Sequence, residues 1–232
     1  MKEVIELYKK RAHVNIYSDK IIPTETEIRD IISKAYPLVT SFRKMFGYKI
    51  HVLGPNLKRS RDIWEICEGH KQWIDDTHFP GEARQTQSMG MRHIETAPWI
   101  LIYTPRVSQP NEYHAGESNH KDGKSLWDGT NWQFMNTNNR ESGGIEIGMM
   151  AQMIMAGVLD KGYDTGFCVC MPRSGPKGLE KWKDYPFLKF YPTVIQTIGK
   201  ATRYQWQCKS PAQREKDTIP PVDDIVDFIG DN

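Results

Sequence analysis

The segment 145–159 constrains the fold more than any other, because it predicts a long helix with almost no polar face. It reads IEIGMMAQMIMAGVL and carries no charged residue after Glu146. A helix that is hydrophobic nearly all round is buried on most of its surface. Lys161-Gly162 supplies the C-cap signal that ends it. Such a helix needs neighbours on several sides, and the simplest account is one domain, 1–232, with a central sheet and helices on its faces.

Periodicity and turn signals predict the elements around that helix. The capping-box pattern at 24–27 opens a second helix, whose apolar residues repeat at helical spacing until Pro37 ends it. Alternating or continuous apolar runs between turn signals predict strands. The sequence therefore predicts further helices over 3–12 and 59–74, a loop over 15–23, and strands over 49–53, 97–103, 167–171 and 193–198.

A polar segment rich in Gly and Asn, about 104–143, interrupts this pattern. A structureless stretch of this length is typically a lid or a binding loop. A disordered insertion is the alternative, but aromatic residues such as Trp127 and Trp132 favour a lid that packs on something. Together with Tyr113 they are candidates to stack on an aromatic substrate, or to anchor the lid to the domain.

Composition excludes several classes of protein. The 31 basic and 29 acidic residues give a net charge of +2, which is too balanced for a protein that mainly binds a nucleic-acid backbone. The longest apolar run, 98–103, is far short of the roughly 20 residues of a transmembrane helix. The N-terminus scatters charges where a signal peptide has an apolar core. The four cysteines are not spaced as in a disulfide scaffold, so we expect a reducing, cytoplasmic location. We expect neither a membrane nor a nucleic acid as partner.

Familiar catalytic motifs are absent from the sequence. It contains no Gly-x-Gly-x-x-Gly, P-loop, Gly-x-Ser-x-Gly or His-Glu-x-x-His pattern. Cys168-Val169-Cys170 would place two thiols on one side of a strand, but a zinc site needs further ligands at recognisable spacing, and cysteines usually pack. The cluster at 75–78 is interpreted as a solvated helix end. We therefore predict no metal site.

Basic residues near both ends of the chain form another candidate site. Arg11 follows Lys9 and Lys10 at the end of a predicted helix, and Arg214 and Lys216 lie near the C-terminus. Such groups can converge on a phosphate, which the guanidinium fork of Arg matches best. From composition alone, solvated surface charge is the favoured interpretation.

Four segments in order carry a family resemblance. Residues 11–23, RAHVNIYSDKIIP, resemble the opening of the FMN-dependent nitroreductase family, Arg-(Arg/His)-Ser-x-(Arg/Lys)-x-Phe followed by Ser-Asp-x-x-Ile-Pro and a capped helix. Residues 146–166 are similar to the family's long core helix and the Gly-x-x-Thr that follows it. Ile198-Gly199 and the closing PVDDIV at 221–226 are similar to two later family motifs.

The resemblance implies a fold and an activity. It implies an α+β chain, a three-layer α/β/α sandwich with a central mixed sheet, in an intertwined homodimer with FMN at each of two subunit interfaces. NADH or NADPH would reduce FMN, which would then reduce a small acceptor, such as an aromatic nitro compound or a quinone, by a ping-pong mechanism. The cofactor carries that chemistry, so no catalytic residue of the chain is predicted. The alternatives are a non-catalytic flavin- or nucleotide-binding dimer and an interaction domain without cofactor, the latter disfavoured by Arg11 and the basic tail.

The resemblance also implies cofactor-binding residues. Arg11 matches the family's first phosphate-binding Arg, and Ala12 and His13 fall where a basic residue and a Ser hold phosphate. Asn15 stands where an Arg or Lys reaches the flavin pyrimidine edge, and Arg92 is placed to supply the missing charge. Cys168 and Val169 match the segment whose backbone faces flavin N5 from the partner subunit, and Arg214 and Lys216 lie near the family's C-terminal phosphate-binding residues. In a rewritten segment Ser41 is kept from the family pattern, and Arg43 would reach the cofactor from the partner chain.

Overall fold

The computed structural model of the chain describes residues 2–41, 46–78, 92–106, 137–172, 182–188 and 192–208. In chain order the elements are α1 (Lys2–Lys9), β1 (Val14–Tyr17), α2 (Glu25–Ala35), β2 (Tyr48–Leu53), α3 (Leu57–His78), α4 (Arg92–Glu95), β3 (Trp99–Pro105), α5 (Thr137–Asp160), β4 (Asp164–Cys168), β5 (Val194–Gly199) and β6 (Ala201–Tyr204), with 3-10 helices at Tyr36–Leu38 and Gln205–Cys208.

The centre of the fold is a four-stranded sheet in the order β2-β3-β5-β4. Strand β3 is apolar along most of its length because it pairs on both sides and is covered on both faces. Ile100 and Ile102 point to one face, where they pack with Ile63 of α3. Leu101 and Tyr103 point to the other, in the cluster built by α2 and α5. The predicted three-layer arrangement, with helices on both faces of a central sheet, is confirmed.

All pairings between described strands are antiparallel. The mixed sheet implied by the resemblance is therefore not seen among these strands, whereas the α+β class is confirmed. No helix in the described ranges has the length and apolarity needed to cross a membrane.

Helix α5 differs from its prediction in two ways. It begins at Thr137, not at 145, and β3 runs to Pro105. The polar segment predicted at 104–143 is therefore shorter than expected, and 107–136 lie outside the described residues. The helix is also not buried all round: Ile147, Met150 and Ile154 face the core, while Ile145 is 64% exposed. Ile145 is the large apolar side chain of α5 that the described residues of this chain leave exposed.

The small sheet formed by β1 and β6 was not predicted. The sequence analysis expected a loop from Asn15, because β1 has no local signal and its partner lies near the other end of the described chain. Val14 pairs with Tyr204 and Tyr17 with Ala201, with irregular register between them. Two further bonds extend the contact, from Ser18 N to Lys200 O and from Gln205 N to His13 O, both 2.7 Å. This pairing fixes the N-terminal segment that carries the predicted phosphate-binding residues.

Strand β4 begins earlier than predicted, at Asp164, and ends at Cys168. The strand predicted over 167–171 therefore has the wrong bounds. The observed strand begins with a polar residue, Asp164. Its carboxylate accepts hydrogen bonds from Tyr204 Oη at 3.1 Å and from Ala201 N at 2.9 Å. Hydrogen-bond partners of this kind stabilise a buried polar residue at the start of a strand. The spacing of apolar residues in the sequence does not indicate where such partners are.

Candidate functional site

The N-terminal segment presents an available guanidinium. Arg11 directly follows α1, its backbone N–H bonds to Tyr8 O at 3.0 Å, and its side chain is exposed. Among the described residues it makes no ion pair, unlike Lys9, whose ammonium is 2.7 Å from Glu6. Ala12 and His13 follow, both half-buried. An unpaired Arg on an anchored segment suits a phosphate group.

His13 connects this segment to the interior. Its ring stands edge-on to that of His93, 84° apart with centroids at 5.7 Å. His93 is fully buried, and its Nδ1 is 2.9 Å from Thr197 Oγ1. Tyr17 Oη lies 2.9 Å from the same hydroxyl. Residues of β1, α4 and β5 thus meet at Thr197.

One assignment of hydrogens satisfies that hydroxyl. Thr197 Oγ1 donates to Gly166 O at 3.3 Å, so its lone pairs accept from Tyr17 Oη–H and from His93 Nδ1–H. His93 is then neutral, with its unprotonated Nε2 buried and without a partner among the described residues. Burial, and to a smaller extent the neighbouring His13, lowers the pKa of His93 to about 3. The neutral form is therefore the one present at physiological pH.

Asn15 and Arg92, the two residues placed at the flavin edge by resemblance, are more enclosed than expected. Asn15 is only 2% exposed on β1. The Nε of Arg92 lies 3.5 Å from Glu95 Oε2, which offsets part of its charge. The structure brings both onto elements that pack together, β1 and α4, but leaves little of the Asn15 side chain open to a ligand.

Cys168 and Val169 differ from each other in exposure. Cys168 is buried in the core, as the packing interpretation predicted, whereas Val169 follows the end of β4 and is 57% exposed. Since β4 also contacts β1, this exposed turn belongs to the same part of the fold as the N-terminal segment. An exposed apolar side chain in this place suits contact with a planar ligand.

Ser41 belongs to a different cluster, at the start of the apolar part of α5. Its Oγ donates to Glu146 Oε1 at 2.9 Å and accepts from Phe46 N at 2.7 Å, while Gly47 N donates to the other carboxylate oxygen at 3.3 Å. Tyr48 lies beside this carboxylate. Burial first, then Tyr36 and Glu146, raise the pKa of Tyr48 to about 12. Ser41 thus holds Glu146, and no contact joins it to the His13–His93 group within the described chain.

The other predicted site residues cannot be placed. Arg43 from the partner-reaching segment, the phosphate-binding pair Arg214 and Lys216, and the lid aromatics Tyr113, Trp127 and Trp132 lie outside the described residues. Their roles stay predictions.

The sequence analysis missed His93, Thr197 and Glu146. Gln196-Thr197 inside an otherwise apolar strand was the available signal, because buried polar side chains require partners. The side chain of Gln196 lies on the opposite face of the sheet. There its Oε1 accepts from Tyr103 Oη at 2.5 Å and its Nε2 donates to Ala151 O at 3.3 Å. His93 carried no signal beyond its place next to Arg92.

A separate pocket of about 510 Å³ lies between α3 and the segment 182–188. Asp62, Glu65 and Asp184 line it, together with Ile66 and Tyr185. Three carboxylates disfavour an anion, so this pocket is not a phosphate site. Within the described ranges no set of three His, Cys, Asp or Glu side chains is arranged to hold a metal ion.

Comparison with solved structures gives clear likenesses of fold. No protein-family model and no curated protein matches the sequence. A nitroreductase with bound FMN from Desulfitobacterium hafniense aligns over 99% of this chain and 100% of its own, with a TM-score of 0.62 and 13% identity. A nitroreductase-like protein from Streptococcus mutans covers the same shares at a TM-score of 0.60 and 12% identity. A candidate NAD(P)H:FMN oxidoreductase from Staphylococcus epidermidis covers 99% of this chain and 97% of its own, at 0.60 and 15% identity.

Proposed function

Because this chain has the nitroreductase fold, we propose that it is an FMN-dependent oxidoreductase. Bound FMN would supply the redox chemistry of a ping-pong cycle, in which NADH or NADPH is the donor and a small compound such as a nitroaromatic or a quinone is the acceptor. Two of the proteins that share the fold support this proposal, one by its bound FMN and one by its assignment as an NAD(P)H:FMN oxidoreductase.

The observation that carries the proposal is the exposed guanidinium of Arg11, which forms no ion pair with the described residues. It stands at the end of α1, immediately before a segment that β6 anchors. In the proposed site Arg11 binds the FMN phosphate, and His13 provides a second polar contact from its half-buried ring. Arg214 and Lys216 are proposed to complete the phosphate contacts from the C-terminal side.

The other residues would orient the flavin ring. The backbone at Cys168 and Val169 is proposed to face flavin N5, and Arg92 to lie near the pyrimidine edge, where its charge offsets negative charge on the ring. His93 acts indirectly, because its ring packs against His13 and its Nδ1 is tied to β5. The aromatic residues Tyr113, Trp127 and Trp132 are proposed to cover the acceptor.

We also propose that the protein is a homodimer. Val4 and Ile5 of α1 are 55% and 48% exposed, and Ile145 of α5 is 64% exposed. Helix α1 packs on α5, where Tyr8 Oη approaches Gln152 O at 3.5 Å. We call Val4, Ile5 and Ile145 the α1–α5 patch. A second copy would cover these apolar side chains, and Ser41 and Arg43 would then reach the cofactor of the other subunit. Cys67, Cys168 and Cys170 are free thiols, which supports our proposal that the protein works in the reducing cytoplasm.

The test of the phosphate assignment is FMN affinity in Arg11→Ala. Hydrogen bonds to charged groups contribute about 1.5–3 kcal/mol, so we expect the dissociation constant, measured by flavin fluorescence quenching, to rise about 10- to 150-fold. Arg29→Ala is the matched control, because Arg29 is an exposed Arg of α2 paired with Glu25 at 2.6 Å. Equal affinity in both variants would show that Arg11 does not hold the phosphate.

A second function on the same fold is favoured by Asn15. It brings no charge to the position where a cation is expected, and it is buried. A protein without that charge could bind flavin and store or deliver it without turnover. Reduction of the bound flavin by NADH or NADPH separates the two functions.

A further inference from the structure

The pocket between α3 and the segment 182–188 takes no part in the proposed flavin site. Its volume of about 510 Å³ is within the roughly 300–1,000 Å³ of small-molecule sites. The described residues that line it are Asp62, Glu65 and Ile66 of α3, and Asp184 and Tyr185 of the facing segment. Its two walls therefore both carry carboxylates.

The facing segment is fixed to the core. Trp182 is fully buried, and its Nε1 donates to Pro172 O at 3.2 Å. Tyr185 N donates to Trp182 O at 3.0 Å, and Leu188 N donates to Tyr185 O at 2.9 Å. Trp182 and Tyr185 belong to the same core cluster as Ile63 of α3, so the two walls are held together without a ligand.

The carboxylates of the pocket are available to a cation. Asp62, Glu65 and Asp184 are exposed, and none of them makes an ion pair within the described chain. Asp62 and Glu65 are three residues apart on α3 and share one face of the helix. Arg59 lies close enough to act on Tyr185, but one guanidinium leaves a surplus of negative charge.

Tyr185 is an independent sign of a ligand. It is only 8% exposed, and its ring packs edge-on against Trp182 and Phe187, with centroids at 5.7 and 5.9 Å. Its hydroxyl makes no hydrogen bond within the described chain, yet it is not sealed in the core as the unpartnered hydroxyl of Tyr48 is. The accessible part of Tyr185 therefore faces the pocket that it lines. Buried hydroxyls normally have a partner, and a ligand in the pocket would provide it.

The arrangement of these groups selects the kind of cation. No three His, Cys, Asp or Glu side chains in the described ranges are placed to hold a metal ion. The negative charges are instead divided between two walls, with the apolar Ile66 on one of them. Ammonium groups joined by methylene chains match this pattern, because the charged ends can reach both walls while the methylenes contact Ile66.

We propose that this pocket binds a free aliphatic polyamine. Its ammonium groups pair with Asp62 and Glu65 on one wall, and with Asp184 and the hydroxyl oxygen of Tyr185 on the other. Burial first, and then Asp62 and Asp184 against the opposing effect of Arg59, raises the pKa of Tyr185 to about 12, so this hydroxyl is neutral at physiological pH. Its oxygen can then accept an N–H bond. The inference goes beyond the proposed flavin chemistry and uses none of the residues assigned to it.

Calorimetric titration of the full chain with spermidine at low ionic strength tests the proposal. We expect saturable binding that Asp184→Asn and Asp62→Asn each weaken by up to about 5-fold, as is usual for an exposed ion pair. Glu25→Gln is the control, because it removes an exposed carboxylate of α2 and changes the net charge equally. It should bind as the wild type does. Tyr185→Phe should weaken binding without lowering the unfolding temperature, because the hydroxyl has no partner within the described chain.

Other results would overturn the proposal. Equal dissociation constants in the wild type, Asp184→Asn and Asp62→Asn would place the polyamine elsewhere. A loss in Glu25→Gln as large as that in Asp184→Asn would show attraction by net charge alone. Displacement of spermidine by magnesium chloride at equal total charge would show that the pocket does not select ammonium groups. Tighter binding of trilysine than of spermidine would assign the pocket to lysine side chains of a protein partner.

Discussion

Gly166 shows how closely single residues are fitted around Thr197. A Cβ at this position would lie 2.7 Å from His93 Nδ1 and 3.0 Å from Thr197 Oγ1. Both neighbours are buried and hydrogen-bonded to each other, so neither can move without losing that bond. The position accepts only glycine because strand β4 and helix α4 approach each other here.

We predict that Gly166→Ala lowers the free energy of unfolding by about 1–3 kcal/mol, the usual cost of overpacking. Gly148→Ala is the control, since Gly148 lies on α5 with nothing within 4 Å of an added Cβ. Ala favours a helix by about 1 kcal/mol over Gly, so this variant should be as stable as the wild type or more stable. Urea unfolding measures both, and equal effects would contradict the tight packing at Gly166.

His93 links stability to pH. Its folded pKa of about 3 lies below the ordinary value of 6.5, because burial disfavours the charged form. Between these values the unfolded chain binds a proton that the folded chain does not bind, so stability falls as the pH falls. Above pH 6.5 both states are neutral at this residue, and its contribution is fully present. His51, whose pKa burial and Lys49 lower to about 4, acts in the same direction.

We predict that His93→Asn flattens this dependence. One proton changes the free energy of unfolding by at most about 1.4 kcal/mol per pH unit, so the slope between pH 4 and 6 should fall by up to that amount. Asn keeps a polar atom near the position of Nδ1, which preserves a partner for Thr197. Comparison of slopes from urea unfolding removes any constant loss of stability. Parallel profiles for variant and wild type would contradict the neutral, buried state of His93.

Among the elements, α2 is the one whose local sequence specifies it most completely. Thr24 Oγ1 accepts from Glu27 N at 3.2 Å, and Glu27 Oε2 accepts from Thr24 N at 2.8 Å, so the predicted capping box is confirmed. The hydrogen bonds from Thr24 lower the pKa of Glu27, helped by Tyr163. The helix then buries Ile28 and Ile31 against the layer of α5.

We predict that Thr24→Ala lowers the free energy of unfolding by about 0.5–2 kcal/mol, the usual cost of losing an N-cap. Thr26→Ala makes the same chemical change at an exposed position within α2, where Ala is the better helix former. Thermal unfolding should separate the two variants. A loss at Thr26 as large as that at Thr24 would show that the cap contributes nothing of its own.

Elements that depend on distant partners were the ones that sequence reasoning missed or shifted. The capping box of α2 and the apolar runs of β3 and β5 are local signals, and these elements were found. β1 exists because β6 pairs with it, and β4 begins at Asp164 because Tyr204 and Ala201 bond its carboxylate. The residues of the candidate site divide in the same way: Arg11 and His13 were proposed from a local motif, whereas the contact of His93 with Thr197 depends on β5 lying beside α4.

For the molecule as a whole, the layer formed by α1 and α5 leaves apolar side chains exposed to solvent. Helices α1 and α5 expose apolar side chains in the α1–α5 patch, while on the α3 side Leu57 is exposed as well. The sequence predicted a helix buried nearly all round, and Ile145 is the part of α5 that the described residues of one chain leave exposed. In the homodimer proposed above, a second copy would cover these side chains.

We predict that the wild type sediments as a dimer and that Val4→Glu combined with Ile145→Glu sediments as a monomer, because two buried charges would oppose the interface. Leu57→Glu is the control, since Leu57 is 55% exposed at the start of α3 on the opposite layer. Analytical ultracentrifugation gives the masses. A monomeric wild type, or a dimer that survives the double substitution, would contradict the role of the patch.

The most direct measurement of the central claim is the visible spectrum of the FMN-loaded protein before and after anaerobic addition of NADH or NADPH. We predict a flavin band that bleaches on addition of one of them and returns when a nitroaromatic or quinone acceptor is added. A band that persists with both donors would contradict NAD(P)H oxidoreductase activity and favour flavin storage or delivery. Absence of a band after incubation with FMN would contradict the flavin site itself.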